Sequence, residues 1–336
     1  MASTETPWYT DCTVLEGLEC PYTEDGAEFI TAVSLGNNTA MLAFMRDVTP
    51  DSDDTYTPRE EWYIVSLSRY PASSIEYSRI PGPRNPEGVV GMKLVRVGDV
   101  VVAYGGRVFG PRSDPFEQHP PHWYMAVYTI ATGVWENIPY EEGCMPLPAH
   151  GPTLFAVEDT LVVAGGTPSG EGRDTSYDTW EWCLSTGVWT QVEDCPIIQL
   201  AGQRHGTTHN GTHHMCIGDI YLSYRDRRWT VQIMPLADEA ARCLLSVPLY
   251  GAHQLIELSK RADYPRGFTK SFYVWDPVSQ DLTPLAPLPL TERQMRYVHR
   301  CETVMLNPCT MLSIASDIVL LVDIDPCMLG PEYYSS

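Results

Sequence analysis

One sequence unit occurs twice in this chain and restricts its fold more than any other feature. In each copy an apolar run precedes a double glycine, and the tetrapeptide TGVW follows further along the chain. The copies cover residues 98–135 and 158–189. An apolar strand that ends in glycines, followed by a second strand and a lone Trp, is the pattern of a repeated β unit. The sequence therefore predicts an all-β repeat protein.

Weaker copies of this unit extend over most of the chain. Tyr77 occupies the Trp position of an earlier copy, because residues 77–81 (YSRIP) align with residues 135–139 (WENIP). Trp229 and Leu282 mark two later copies. The strand openings fall near Glu28, Gly88, Gly151, Gly206, Gly251 and His299. Such spacing is typical of blades with four strands, so we predict a six-bladed β-propeller.

The last copy contains two apolar segments and then lacks an outer strand. Trp8 and residues 14–15 resemble the Trp-containing strand of a unit. We therefore expect the N-terminal strand to complete the last blade, which removes an open sheet edge. This closure predicts a single β-propeller domain over residues 1–336.

The combination of double glycine, spaced Tyr and spaced Trp, with a strand opening of the Arg-His-Gly kind at residues 204–206, resembles the Kelch repeat. The resemblance implies a six-bladed Kelch-type β-propeller. Glycines would let the inner strands bend and pack closely, and the aromatic rings would fill the space between blades. The residues with these structural roles are Gly105, Gly106, Gly165, Gly166, Tyr77, Trp135, Trp189, Trp229 and Trp8.

Charge and the N-terminal sequence disfavour several partners and an exported location. The 22 Lys and Arg residues against 43 Asp and Glu give a formal net charge of −21, which disfavours nucleic acid and anionic membranes. The polar N-terminus lacks the pattern of a signal peptide, and the apolar run 318–322 is too short to cross a bilayer. We therefore expect a cytoplasmic or nuclear protein whose ten cysteines remain reduced.

Two arginines stand at positions where substrate-recruiting Kelch proteins often place pocket residues. Arg107 directly follows the double glycine of its unit, and Arg204 lies two residues before Gly206. A guanidinium group suits such a pocket because it binds carboxylates through two hydrogen bonds and stays charged. The alternative is that each arginine forms an ordinary surface ion pair.

The rest of the predicted pocket rim is mixed in character. Its further candidates are His150, Tyr250 and Arg296. The other positions that correspond to the two arginines hold Glu87, Ala149, Leu249 and Tyr297, which disfavours a simple preference for acidic peptides. Two long segments, 47–61 and 107–122, are predicted to be loops that either bind a partner or only connect strands.

The densest polar cluster lies at His205, His209, His213, His214 and Cys216. Alternation along a strand sends His213 and His214 to opposite faces, which disfavours a tetrahedral metal site. We instead predict a turn at Asn210 and Gly211 that joins two strands. The chain also has no CxxC pair, so we predict neither a metal nor a cofactor.

The sequence contains no GxSxG, P-loop, GxGxxG or HExxH pattern, so it carries none of these catalytic signatures. The sequence therefore favours a protein-interaction module, an adaptor or scaffold that binds a partner protein through its loop face. The first alternative is an enzyme acting on a small sugar-like or oxidisable molecule in the central channel. The second is a structural subunit whose binding face has diverged.

Overall fold

The structure is a computed structural model that describes residues 9–15, 30–46, 59–68, 74–84, 89–90, 92–108, 123–141, 143–146, 149–168, 176–197, 206–217, 219–234, 241–248, 253–261, 268–291, 302–307, 309–314 and 319–325. Within these ranges the chain forms strands and turns, and no helix. The prediction of an all-β protein is confirmed.

Contacts divide the chain into two compact units. One unit contains residues 1–18 and 204–336, and the other contains residues 19–203. Each unit holds three four-stranded antiparallel sheets. These six sheets are the blades of a six-bladed β-propeller, which confirms the predicted fold class. The expectation that residues 1–336 form a single domain stays a prediction.

The unit formed by residues 19–203 contains blades 1 to 3. After the N-terminal strand β1 (Tyr9–Leu15), which belongs to the other unit, its strands are β2 (Ile30–Gly36), β3 (Thr39–Arg46), β4 (Arg59–Ser68), β5 (Ser74–Ile80), β6 (Val89–Val90), β7 (Lys93–Val97), β8 (Val100–Tyr104), β9 (Arg107–Val108), β10 (Trp123–Thr129), β11 (Val134–Pro139), β12 (Ala149–His150), β13 (Thr153–Val157), β14 (Thr160–Ala164), β15 (Thr167–Pro168), β16 (Thr179–Cys183) and β17 (Val188–Gln191). Blade 1 is β2-β3-β4-β5, blade 2 is β7-β8-β10-β11 and blade 3 is β13-β14-β16-β17.

The other unit contains blades 4 to 6. Its remaining strands are β18 (Gly206–His209), β19 (Thr212–Ile217), β20 (Ile220–Arg225), β21 (Arg228–Ile233), β22 (Ala241–Pro248), β23 (Gln254–Arg261), β24 (Phe268–Asp276), β25 (Asp281–Pro284), β26 (Glu302–Asn307), β27 (Thr310–Ile314) and β28 (Val319–Ile324). Blade 4 is β18-β19-β20-β21, blade 5 is β22-β23-β24-β25, and blade 6 has the order β1-β28-β27-β26.

The N-terminal strand completes blade 6, as the sequence predicts. β1 pairs antiparallel with β28, from Tyr9 opposite Ile324 to Leu15 opposite Val319. Cys12 and Val14 pack against the apolar core that blades 5 and 6 share. Pairing with β1 therefore satisfies an edge of β28 that would otherwise be open. Trp8, which the sequence places in this strand, lies outside the described residues.

Apolar side chains fill the space between successive blades of each unit. Blades 1 and 2 share a core around Trp62 and Val101, and blades 2 and 3 share one around Tyr104 and Leu161. In the other unit, Tyr221 of blade 4 belongs to the same cluster as Ile256 and Trp275 of blade 5. Burial of apolar area between sheets is thus the main stabilising contribution.

Several boundaries differ from the spacing of the sequence pattern. Blade 5 begins with β22 at Ala241, so the chain enters this blade upstream of Gly251, which lies between β22 and β23. The segment 47–61 ends inside β4, and the segment 107–122 begins inside β9. Both long connections are shorter than predicted because strand pairing continues at their ends.

The described residues include six free cysteines and no candidate membrane-spanning helix. Their cysteines Cys12, Cys144, Cys183, Cys195, Cys216 and Cys309 are free thiols. The same residues contain no helix with the length and hydropathy that a bilayer-spanning segment requires.

Candidate functional site

Blades 2 and 3 each carry a two-stranded ribbon beyond the double glycine. In blade 2 the ribbon joins β6 to β9, and Val90 lies opposite Arg107. In blade 3 it joins β12 to β15, and His150 lies opposite Thr167. Arg107 corresponds to Thr167, and Val90 corresponds to His150. Arg107 and His150 therefore lie at corresponding rungs of the two ribbons, Arg107 on the strand after the double glycine and His150 on the strand before it. We call these two ribbons the ribbon pair.

The double glycines make the ribbons possible. Gly105 has a φ of 76° and Gly166 a φ of 96°, a left-handed conformation that disfavours other residues. A Cβ on Gly105 would lie 2.7 Å from the carbonyl oxygen of Ala149, and one on Gly166 would lie 2.8 Å from the Ala149 Cβ. Both glycines thus pack against the start of the ribbon in blade 3. The contact from Gly105 also brings the two ribbons of the pair together.

The ribbon pair defines one end of blades 2 and 3. The tight turns at residues 98–99 and 130–133 lie at the opposite end of blade 2, because Val100 is paired with both Val97 and Thr129. β9 and β15 end at the ribbon end, so the connections 109–122 and 169–175 begin there. This end therefore corresponds to the loop face that the sequence predicts as the binding surface.

The structure brings two of the five predicted binding residues to the ribbon pair. Arg107 lies in β9 and His150 lies in β12. The other three, Arg204, Tyr250 and Arg296, lie outside the described residues, as do Glu87, Leu249 and Tyr297. Ala149 is 3% exposed, so it supports the ribbon from within and does not form part of the exposed rim.

The outer strands place the residues at the Trp position of the repeat, four aromatic and one Leu, at equivalent rungs. Each lies opposite a residue of the preceding strand: Tyr77 with Val65, Trp135 with Tyr128, Trp189 with Trp182, Trp229 with Tyr224, and Leu282 with Trp275. Trp135 also reaches blade 1, where its ring centroid is 5.0 Å from that of Trp62 and its indole N–H donates to the Pro81 carbonyl at 3.0 Å. Trp135 therefore connects blade 2 to blade 1, which is a structural role.

The histidine cluster of blade 4 forms a hairpin. Asn210 and Gly211 have φ values of 48° and 71° and connect β18 to β19. This geometry is the two-residue turn that the Asn-Gly sequence predicts. Among the described residues, no group of three or more His, Cys, Asp or Glu side chains is placed to hold a metal ion. His205 lies outside the described part of the chain.

His213 and His214 are both buried, and they meet different neighbours. Nδ1 of His213 is 2.9 Å from the Thr208 hydroxyl oxygen, whereas Nδ1 of His214 shares a hydrogen bond with the Tyr221 hydroxyl. Burial and the neighbouring His214 lower the pKa of His213 to about 3. Burial and the nearby His209 lower the pKa of His214 to about 4. Both imidazoles are therefore neutral at physiological pH.

Sequence reasoning missed two arrangements of polar groups. The His214 ring stacks at 6.0 Å on Tyr221, whose ring lies 5.8 Å from that of Trp275 in blade 5, and burial raises the pKa of Tyr221. At the tight-turn end of blade 3, the Cys183 sulfur is 3.1 Å from the Ser185 hydroxyl, a hydrogen bond that lowers the pKa of Cys183. Paired histidines in an otherwise apolar strand were a usable signal for the first; nothing in the sequence indicated the second.

Comparisons with known proteins add evidence on the fold alone. No protein-family model and no curated protein matches the sequence. Among solved structures, the chain is similar to that of YjhT, with a TM-score of 0.52 and 10% sequence identity over 88% of this chain and 94% of that one. A likeness at this identity supports the propeller architecture. A propeller is compatible with protein binding and with catalysis, so function must be argued from the site.

Proposed function

We propose that this protein is a Kelch-like propeller that binds a partner protein through the ribbon end of its blades and acts as an adaptor or scaffold. The observation that supports this most directly is the ribbon pair, in which Arg107 and His150 occupy corresponding rungs of neighbouring blades. The paired backbone positions these residues, and β9 and β15 end beside them, where two connections begin. Binding residues on loops held by a rigid scaffold are a common arrangement.

The partner we expect offers carboxylates to Arg107 and Arg204, and both polar and apolar groups to the mixed remainder of the rim. A guanidinium group holds a carboxylate through two hydrogen bonds, and a mixed rim would add shape selectivity. The net charge of −21 repels acidic proteins at long range, so the acceptor would be a local acidic group on a neutral or basic partner. We expect this adaptor in the cytoplasm or the nucleus.

The test is affinity capture with mass spectrometry, using the wild type, Arg107→Ala/Arg204→Ala, and the control Arg225→Ala. The Arg225 side chain is 64% exposed and pairs with Asp226 in a turn of blade 4, so the control removes a surface charge at an unrelated position. A protein that is captured by the wild type and the control, and lost by the double variant, supports the proposal. A partner that the double variant retains, with circular dichroism unchanged, contradicts the assigned surface.

A further inference from the structure

The second strand of blade 4 carries polar side chains where blades 2 and 3 carry aliphatic ones. The hairpin pairs Val97 with Val100, Val157 with Thr160 and His209 with Thr212 fix the correspondence. His213 therefore occupies the position of Val101 and Leu161, and His214 that of Val102 and Val162. All four aliphatic residues are completely buried, and the histidines are only 4% and 9% exposed.

Each imidazole is in contact with a neighbouring strand of blade 4, His213 with β18 and His214 with β20. His213 lies against Gly206, since a Cβ on that glycine would be 2.5 Å from Nε2 of the ring. His214 is held between its bond to the Tyr221 hydroxyl and the stacked Tyr221 ring. A protonated imidazole would have to lose most of its hydration in this position, which disfavours the charged form.

The titratable groups that the structure describes around the pair are a histidine, a cysteine, a tyrosine and one carboxylate. β18 contributes His209, β19 Cys216, and β20 Tyr221, and Asp276 of β24 lies close enough to raise the pKa of Tyr221. The sequence of β22, which packs beside β18 and β19, includes Arg242 and Cys243. The carboxylates that the structure describes within blade 4, Asp219 and Asp226, are exposed.

We propose that the His213–His214 pair makes the β18–β20 region of blade 4 open at acidic pH. Both imidazoles are neutral when the strands are packed, and each takes a proton from solvent when the strands separate. In the folded protein the pKa values of both histidines lie below the ordinary value of about 6.5. The free energy of opening is therefore highest above that pH and falls as the pH drops below it. This inference is independent of the proposed function.

The test is native-state hydrogen exchange of the full chain between pH 7.5 and 5.0, with rates corrected for intrinsic exchange. Linkage predicts that the opening constant of peptides from 206–225 rises below about pH 6.5 by about tenfold per pH unit for each histidine protonated on opening, and thus by about 100-fold per pH unit when both are protonated. Peptides from 93–104 in blade 2, whose corresponding residues are aliphatic, provide the internal reference.

The matched variant is His213→Asn/His214→Asn, because the amide of Asn stands at the place of Nδ1 and can keep the bonds to Thr208 and Tyr221. We expect it to fold and to lose the rise, whereas the control His209→Gln keeps it. If the double variant does not fold, His214→Asn alone should reduce the rise by about tenfold per pH unit. Equal wild-type opening constants at pH 7.5 and 5.0, or an unchanged rise in the folded Asn variants, would overturn the proposal.

Discussion

Blade 3 and blade 4 build the same hairpin from different side chains. In blade 3, Leu154 of the first strand corresponds to a position where blade 4 has Gly206, since these residues pair with Val163 and Met215 at the same rung. One residue into the second strand, Leu161 of blade 3 corresponds to His213. Gly206 and the ring of His213 in blade 4 thus take the places of Leu154 and Leu161 in blade 3. The comparison shows that the blade requires a filled interior and a conserved register, and that the chemistry of the filler can vary.

The chemical difference has a consequence for stability. An aliphatic interior has no protonation state, so its contribution does not change between pH 7.5 and 5. A buried neutral imidazole contributes less as the solution becomes acidic, by about 1.4 kcal/mol for each pH unit below its unfolded pKa. We therefore expect a drop in pH to reduce the stability of blade 4 and to leave the contribution of the blade 3 interior unchanged.

The largest effect should come from Leu161→Ala in blade 3. Leu161 is completely buried between blades 2 and 3, and its truncation leaves a cavity, so we expect the free energy of unfolding to fall by about 2–5 kcal/mol. The loss should be the same at pH 7.5 and pH 5.5 in urea denaturation. Val188→Ala, on a side chain that is 57% exposed in the same blade, is the control and should change stability by about 0.5 kcal/mol or less. A strongly pH-dependent loss for Leu161→Ala would break the contrast with blade 4.

Gly105→Ala should cost about 2–3 kcal/mol. The φ of 76° is unfavourable for alanine, and the added Cβ would lie 2.7 Å from a backbone oxygen that cannot move without shifting β12. Gly187→Ala is the matched control, because its φ is 69° and nothing lies within 4 Å of the added Cβ. Thermal denaturation of both variants separates the backbone strain, about 1 kcal/mol in the control, from the contact. Equal losses would show that the approach to Ala149 contributes nothing.

Gly206→Ala tests whether the missing side chain of Gly206 provides the space that the His213 ring occupies in blade 4. Its Cβ would crowd the His214 carbonyl and the His213 ring, and we expect a loss of about 1–3 kcal/mol. In a His213→Val background the ring contact is gone, so the same change should cost about 1 kcal/mol less. A double-mutant cycle measured by urea denaturation gives this coupling, and a coupling of zero would mean that Gly206 and His213 do not share the space.

The smallest effect distinguishes the repeat tryptophans of blades 2 and 3. The Trp135 indole N–H donates to Pro81, whereas the buried Trp189 indole N–H has no acceptor among the described residues. Trp135→Phe should therefore cost about 1 kcal/mol more than Trp189→Phe, because only the first loses a hydrogen bond. Chemical denaturation of the two variants measures the difference. Equal costs would assign the whole contribution of both residues to packing.

Much of the fold followed from local pattern. The apolar runs of β8 and β14 with their double glycines, and the Asn-Gly turn before β19, are signals that need only short-range geometry. The start of β22 escaped prediction because residues 241–248 lack the glycine and aromatic markers on which the spacing relied. For the candidate site, the sequence indicated Arg107 and His150. It could not show that they lie at corresponding rungs, because that depends on pairing between strands that are distant along the chain.

The sequence by itself determined the fold class, the closure of blade 6 by the N-terminal strand, and the acidic charge, since repeat pattern and composition are local or additive properties. Only the tertiary structure decided that Gly105 packs against the ribbon of blade 3 and that the two histidines of β19 are buried. Burial and contact depend on what the other strands place around a residue. The same His-His pair on an exposed strand would titrate near its ordinary pKa and would have no effect on folding.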